Sequence, residues 1–136
     1  MLIKFLWVIV FLVVLSALWV RLAPTDAAKW HKPLSDPRDK TFAAGVIRVL
    51  PNAADRLADV HAVALSTPRT KLFAGSPAEG MMTYVTRTRV WGFPDYATVW
   101  ADGNDLVIYS RLRFGNGDHG VNGAKVENWI SALSNP

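Results

Sequence analysis

The sequence predicts an α+β domain behind a single N-terminal transmembrane helix, with two helices covering a mainly antiparallel sheet. Three observations predict it. An apolar run from Leu2 to Val20 precedes every other element. Short stretches of two-residue alternation follow, two of them joined by a hairpin signal. One segment of helical periodicity follows the first strand and another closes the chain, so the order is strand, helix, several strands, helix.

The apolar run is interrupted only by Lys4 and closed by Arg21. A spanning helix needs about 20 mostly apolar residues, and Phe5 to Val20 carries no charge. Lys4 and Arg21 extend the segment to residues 1–23, because their aliphatic stems stay apolar while their heads reach the headgroups. A secretory apolar region is shorter and ends at small residues. Here Trp19 and Arg21 close the run and Pro24 follows Leu22-Ala23, so an uncleaved anchor is expected, with a signal peptide cut after Ala27 as the alternative.

Beyond the anchor, roughly 113 residues suffice for one domain with a real core. With Lys4 and Arg21 set aside, 13 basic residues face 11 acidic ones. That balance gives no case for nucleic acid. The chain has no cysteine, which excludes disulfides, thiolate metal sites and a thiol nucleophile.

Residues 24–41 hold Pro24, Pro33 and Pro37 among charged residues without an apolar period, and read as an extended tether. Trp30 within it is expected to plug the domain, since exposure wastes a large apolar area. The domain is expected over residues 42–136. Gly45 to Leu50 is a β-rich run ended by Pro51. Asn52 offers an N-cap for a helix over 53–66, where Leu57, Val60, Ala64 and Leu65 share a face and Thr67-Pro68 stops it. From Met81 to Trp91 the period is two, with Arg87 and Arg89 on one face, expected to be solvated. Gly92-Phe93-Pro94-Asp95 is a turn. Tyr96 to Ala101 and Leu106 to Arg113 are strands joined through Asp102-Gly103-Asn104-Asp105. Val126, Trp129, Ile130 and Leu133 mark the final helix, with Asn122 one turn earlier on the same stripe.

The segment from Ser110 to Lys125 is the one that can carry chemistry. A strand runs into a loop with Gly115, Gly117, Gly120 and Gly123, and the loop opens a helix. A helix N-terminus offers free N–H groups to an anion, and Arg111 and Arg113, two apart, add charge on one face. The candidate ligand-binding or loop-fixing residues are therefore Arg111, Arg113, Gly115, Asp118, Gly120 and Asn122. In the structural alternative, Asp118 or Asn122 caps the helix and Arg113 pairs with Asp118. Arg111, as a strand arginine near the surface, is expected to contribute little stability. The spacing matches neither a P-loop nor a dinucleotide fingerprint. His31, His61 and His119 lack metal-ligand spacing, so no metal, cofactor or catalytic residue is assigned.

The stretch Arg113-Phe-Gly-Asn-Gly-Asp118-His-Gly120-Val-Asn122, followed by Lys125-Val126, resembles the C-terminal signature of the domain-of-unknown-function family DUF1499. That signature reads Arg-x-Gly-x-x-Asp-x-Gly-x-Asn, then a basic residue and Val. Gly92-Phe93-Pro94-Asp95 is similar to the family's Gly-Phe-x-Asp turn. The resemblance runs from about Thr41 to the C-terminus. The chain departs where the family often has Arg-Ser-x-Ser-Arg; here it is Tyr109-Ser110-Arg111-Leu112-Arg113. His119 stands where an aliphatic residue is usual. The resemblance implies a compact extracytoplasmic or envelope domain and brings no established activity.

The function expected is that of a membrane-anchored envelope protein, non-enzymatic, binding a partner or anionic ligand near the bilayer. Its partners are the lipid bilayer through residues 2–20 and an anionic ligand or envelope protein. The alternative is a hydrolase or transferase using Asp118 and His119 with Arg113, which must then converge on one concave pocket. The expected location is a single pass through the bacterial inner membrane. Basic residues after the run argue for a cytoplasmic domain, but the short N-terminal tail favours the extracytoplasmic side.

Overall fold

The computed structural model of the chain describes residues 1–134; Asn135 and Pro136, the end of the expected domain, lie outside the described residues. Helix α1, Leu2–Leu22, is long and apolar enough to cross a membrane and buries none of its residues against the domain. A single turn, α2 (Ala27–Trp30), follows, capped by the Asp26 carboxylate on Ala28 N–H at 2.9 Å. Strands β1 (Lys40–Phe42), β2 (Gly45–Leu50), β3 (Thr70–Ser76), β4 (Met81–Arg87), β5 (Pro94–Asp102) and β6 (Asp105–Leu112) form one antiparallel sheet. Their order is β1-β2-β6-β5-β4-β3. Helices α3 (Leu57–Ser66) and α4 (Val121–Ser134) complete the α+β architecture.

Alternation divides the sheet into two faces. Met82, Tyr84, Ala97, Val99, Leu106 and Ile108 meet Leu57, Val60 and Ala64 of α3 and Val126, Trp129 and Leu133 of α4 in one core. Trp129 anchors it, edge-on to Tyr84 at 5.8 Å, with its indole N–H donating to Thr67 Oγ1 at 2.8 Å. That bond satisfies the one polar atom its burial removes from water.

The other face carries Thr83, Tyr96, Thr98, Tyr109 and Arg111, and the segment after α1 lies over it. Trp30 stacks on Tyr96 at 4.6 Å, on the domain as its size demands. His31 Nδ1 meets Thr83 Oγ1 at 2.9 Å, and Thr83 donates to Thr98 at 3.1 Å. Thr98 in turn donates to Trp30 O at 2.9 Å. Because each hydroxyl has one proton, His31 must donate from Nδ1, which fixes its tautomer.

Several local expectations are corrected. Asn52 does not cap a helix; it sits at φ 53°, and a 3₁₀ turn over Ala54–Arg56 leads into α3. The long alternation stops at Arg87, because Thr88 N–H turns to Phe93 O at 3.0 Å and opens a turn over 88–93. Strand β3 was not expected; its register shifts between Leu72 and Ala74, which breaks the alternation. Lys40 and Thr41, placed in the tether by sequence, belong to β1. The hairpin at Gly103-Asn104 stands as expected, with Asp102 paired to Asp105.

Candidate functional site

The residues singled out in the Ser110–Lys125 segment separate onto the two faces of the sheet. Arg111 is only 7% exposed. Its Nη1 donates to Thr98 Oγ1 at 2.8 Å and to Tyr109 O at 3.1 Å, and its Nη2 donates to Trp30 O at 2.9 Å. The guanidinium lies over the Tyr109 and Trp30 rings at 4.2 and 5.0 Å. Burial pulls its pKa down to about 10, with Tyr109 opposing. It is a buried structural arginine, which corrects the expectation of a weak surface contributor. Arg113 does not pair with Asp118. It donates to Thr25 Oγ1 at 2.9 Å and Pro24 O at 2.7 Å, gripping the tether. Strand direction is the reason: Arg111 and Arg113 share the tether face, whereas Asp118 follows the loop to the helix face.

On the helix face, Asp118 is the cap. Its two carboxylate oxygens accept from Gly120 N–H and Asn122 N–H, each at 2.9 Å. Partial burial works to raise its pKa, but the N–H groups of Asn122 and Gly120 and the Asn122 amide outweigh it, and the pKa is lowered. The loop reaches this cap through Gly115 at φ 106° and Gly120 at φ 82°, a region that favours glycine. His119 between them also holds a positive φ, 53°, and its side chain is exposed.

Asn122 is fully buried. Its Oδ1 accepts from Ser110 Oγ and from Lys125 Nζ, the latter at 3.2 Å. Nearby stands Asp95, expected in a turn without a role but placed in β5, paired with Leu112 and Thr86. Desolvation raises the Asp95 pKa against the pull of Lys125. Desolvation also lowers Lys125 to about 8, against the charges of Asp95 and Asp118. The Asn122 amide lowers both carboxyls, yet its Nδ2 completes no hydrogen bond of normal geometry. The motif residues Asp95, Asp118, Asn122 and Lys125 thus gather at one end of the sheet.

A family model described as "Protein of unknown function (DUF1499)" matches residues 23–133. The chain belongs to the DUF1499 family. No curated protein matches it. The matched segment begins 18 residues before Thr41, where the motif resemblance begins, and so takes in the tether with Trp30 and His31. Helix α1 lies wholly outside it.

Within this DUF1499 domain, Asp118 and His119 line a cavity of about 360 Å³ with residues of the β1–β2 turn, while Arg113 points to the opposite face. The convergence that an Asp118–His119–Arg113 enzyme requires is not formed. Among the described residues, no three His, Cys, Asp or Glu side chains gather as metal ligands.

A different constellation forms where α1 meets the turn over 88–93. Arg21, Arg69, Lys71, Arg87 and Arg89 line one cavity of about 290 Å³ together with Gly92, and no carboxylate lines it. Arg87 is half-buried and donates to Gly92 O at 2.9 Å and to Val20 O and Arg21 O at 3.4 Å each. Arg21 donates to Val90 O at 2.9 Å, and Arg69 donates to Arg87 O at 3.0 Å. Gly92 permits that closeness: a Cβ there would stand 2.9 Å from Arg21 Nε. The side chains of Lys71 and Arg89 have no hydrogen-bond or ion-pair partner among the described residues. Of the two arginines expected on a solvated strand face, Arg89 is exposed and Arg87 is half-buried on backbone carbonyls; both line this pocket. Lys71 was hidden with β3, and Arg69 sits just before that strand at φ 57°, where no pattern marks it.

Proposed function

We propose that the chain is a single-pass membrane protein whose DUF1499 domain binds an anionic ligand at the bilayer surface without catalysing a reaction on it. One observation carries the reading: five cationic side chains line one pocket without a carboxylate, at the C-terminal end of α1. Like charges held together repel, so an anion that neutralises them gains on both counts. Arg21 places the pocket at headgroup level if α1 spans the membrane. Arg87, Arg111 and Arg113 support the same arrangement by fastening backbone carbonyls of Val20, Arg21, Pro24 and Trp30 to the sheet. The domain is thereby fixed against the membrane instead of swinging on a loose leash. We place it on the extracytoplasmic side of the bacterial inner membrane. A hydrolase or transferase built on Asp118 and His119 finds no support, since both Asp118 oxygens are occupied in capping.

Inorganic pyrophosphate, titrated calorimetrically into the full chain in neutral detergent, tests the pocket. Saturable binding is expected, weakened about tenfold or more in Lys71→Gln/Arg89→Gln, two residues without structural partners. Absent binding, or equal binding by that variant, refutes it.

A further inference from the structure

The basic pocket adjoins a second hollow, and the pair has the form of one ligand. Ile9, Leu12, Val13, Ser16, Ala17 and Val20 recur at helical spacing on one stripe of α1. With Trp91 and Phe93 they line a cleft of about 390 Å³ that is almost wholly apolar. Gly92, between those two aromatics, lines the basic pocket. The apolar cleft and the cationic pocket therefore meet at the same turn.

Resting on the proposed function, we propose that the site takes one anionic phospholipid, its phosphate headgroup in the basic pocket and an acyl chain along α1. Length fits the assignment: Ile9 to Val20 rises about 16 Å at 1.5 Å per residue, close to one leaflet of a hydrocarbon core about 30 Å thick. Polarity fits too. The cleft lies beside the part of α1 that crosses the apolar layer, and the pocket begins at Arg21, where that layer ends. A Trp belongs at such a boundary, and Val90, at 73% exposure, and Trp91 extend the turn as an apolar tip. A free phosphate would use the pocket and leave the cleft idle; a zwitterionic lipid would use the cleft but bring an ammonium along with its phosphate to a pocket lined by five cations and no carboxylate. Only a molecule with both parts uses both.

Native mass spectrometry of the full chain in neutral detergent tests this, with phosphatidylglycerol and phosphatidylcholine of identical chains as probes. Phosphatidylglycerol is expected to bind at least tenfold more tightly, and Lys71→Gln/Arg89→Gln to remove about tenfold or more of that affinity. Ala17→Phe, which fills the cleft, is expected to weaken phosphatidylglycerol by a similar factor while pyrophosphate binding persists. Persistent pyrophosphate binding also shows that this variant is folded. If Ala17→Phe keeps full phosphatidylglycerol affinity, the acyl assignment falls and the anion-binding function stands. If the two lipids bind equally while pyrophosphate still binds, the lipid is overturned as occupant. If pyrophosphate fails as well, the pocket itself is overturned.

Discussion

Arg111→Met is the most informative single perturbation of the domain's architecture, because it keeps the apolar stem and removes the guanidinium. One charge-assisted bond crosses from the sheet to the tether, at Trp30 O, and a second holds Thr98 Oγ1 on β5, the hydroxyl that itself donates to Trp30 O. Each is worth about 1.5–3 kcal/mol. Stacking on Trp30 and Tyr109 adds about 1 kcal/mol. Against this stands the burial penalty that pulls the pKa down to about 10, about 3 kcal/mol, which methionine recovers. The net loss is about 2 kcal/mol, and it falls on the tether, since Trp30 O retains only its bond from Thr98. By the relation between opening free energy and exchange, amides of the α2 turn, Lys29 to His31, should exchange about 30-fold faster. Hydrogen exchange of the full chain, read by mass spectrometry, measures this. Unchanged exchange at α2, or equal acceleration across β5 and β6, refutes the claim that Arg111 pins the tether.

Other perturbations have separate outcomes. Asp118→Ala removes both cap bonds and should cost about 1–2 kcal/mol in denaturant unfolding; no loss contradicts the cap. His119→Gly relieves a left-handed residue and should leave stability equal or higher; a marked loss contradicts the absence of a side-chain role. Lys125 has a folded pKa of about 8, below its ordinary 10.5, so the unfolded chain binds the extra proton between these values. Its contribution to stability should therefore rise as pH goes from about 8 to 10.5, and Lys125→Met should abolish that rise; an unchanged slope contradicts it. A reporter active only after export, fused after Pro136, should be active, and a silent one reverses the proposed orientation.

What the sequence shows and conceals follows from how far each signal reaches along the chain. The apolar run, the stripe Val126, Trp129, Ile130 and Leu133, and the hairpin at Gly103-Asn104 are local patterns, and the structure carries each of them. Strand β3 was hidden because its bulge interrupts the alternation and Leu72 is exposed. Asn52 carries the side chain of a cap in a backbone that turns left-handed instead. The arginines show the deeper limit. Spacing places Arg111 and Arg113 on a common face, but their acceptors lie about 80–90 residues earlier in the chain, beyond any periodicity. The basic pocket is assembled from three separate stretches, around Arg21, Arg69 to Lys71, and Arg87 to Gly92. No spacing rule announces it.

If this turn and its basic pocket engage anionic lipid at the membrane surface, hydrogen exchange over residues 87–93 of the full chain in nanodiscs will distinguish phosphatidylglycerol-containing bilayers from pure phosphatidylcholine. Exchange there should slow severalfold only in the anionic bilayer, with α3 and α4 unchanged. Equal exchange over 87–93 in both bilayers would contradict the account.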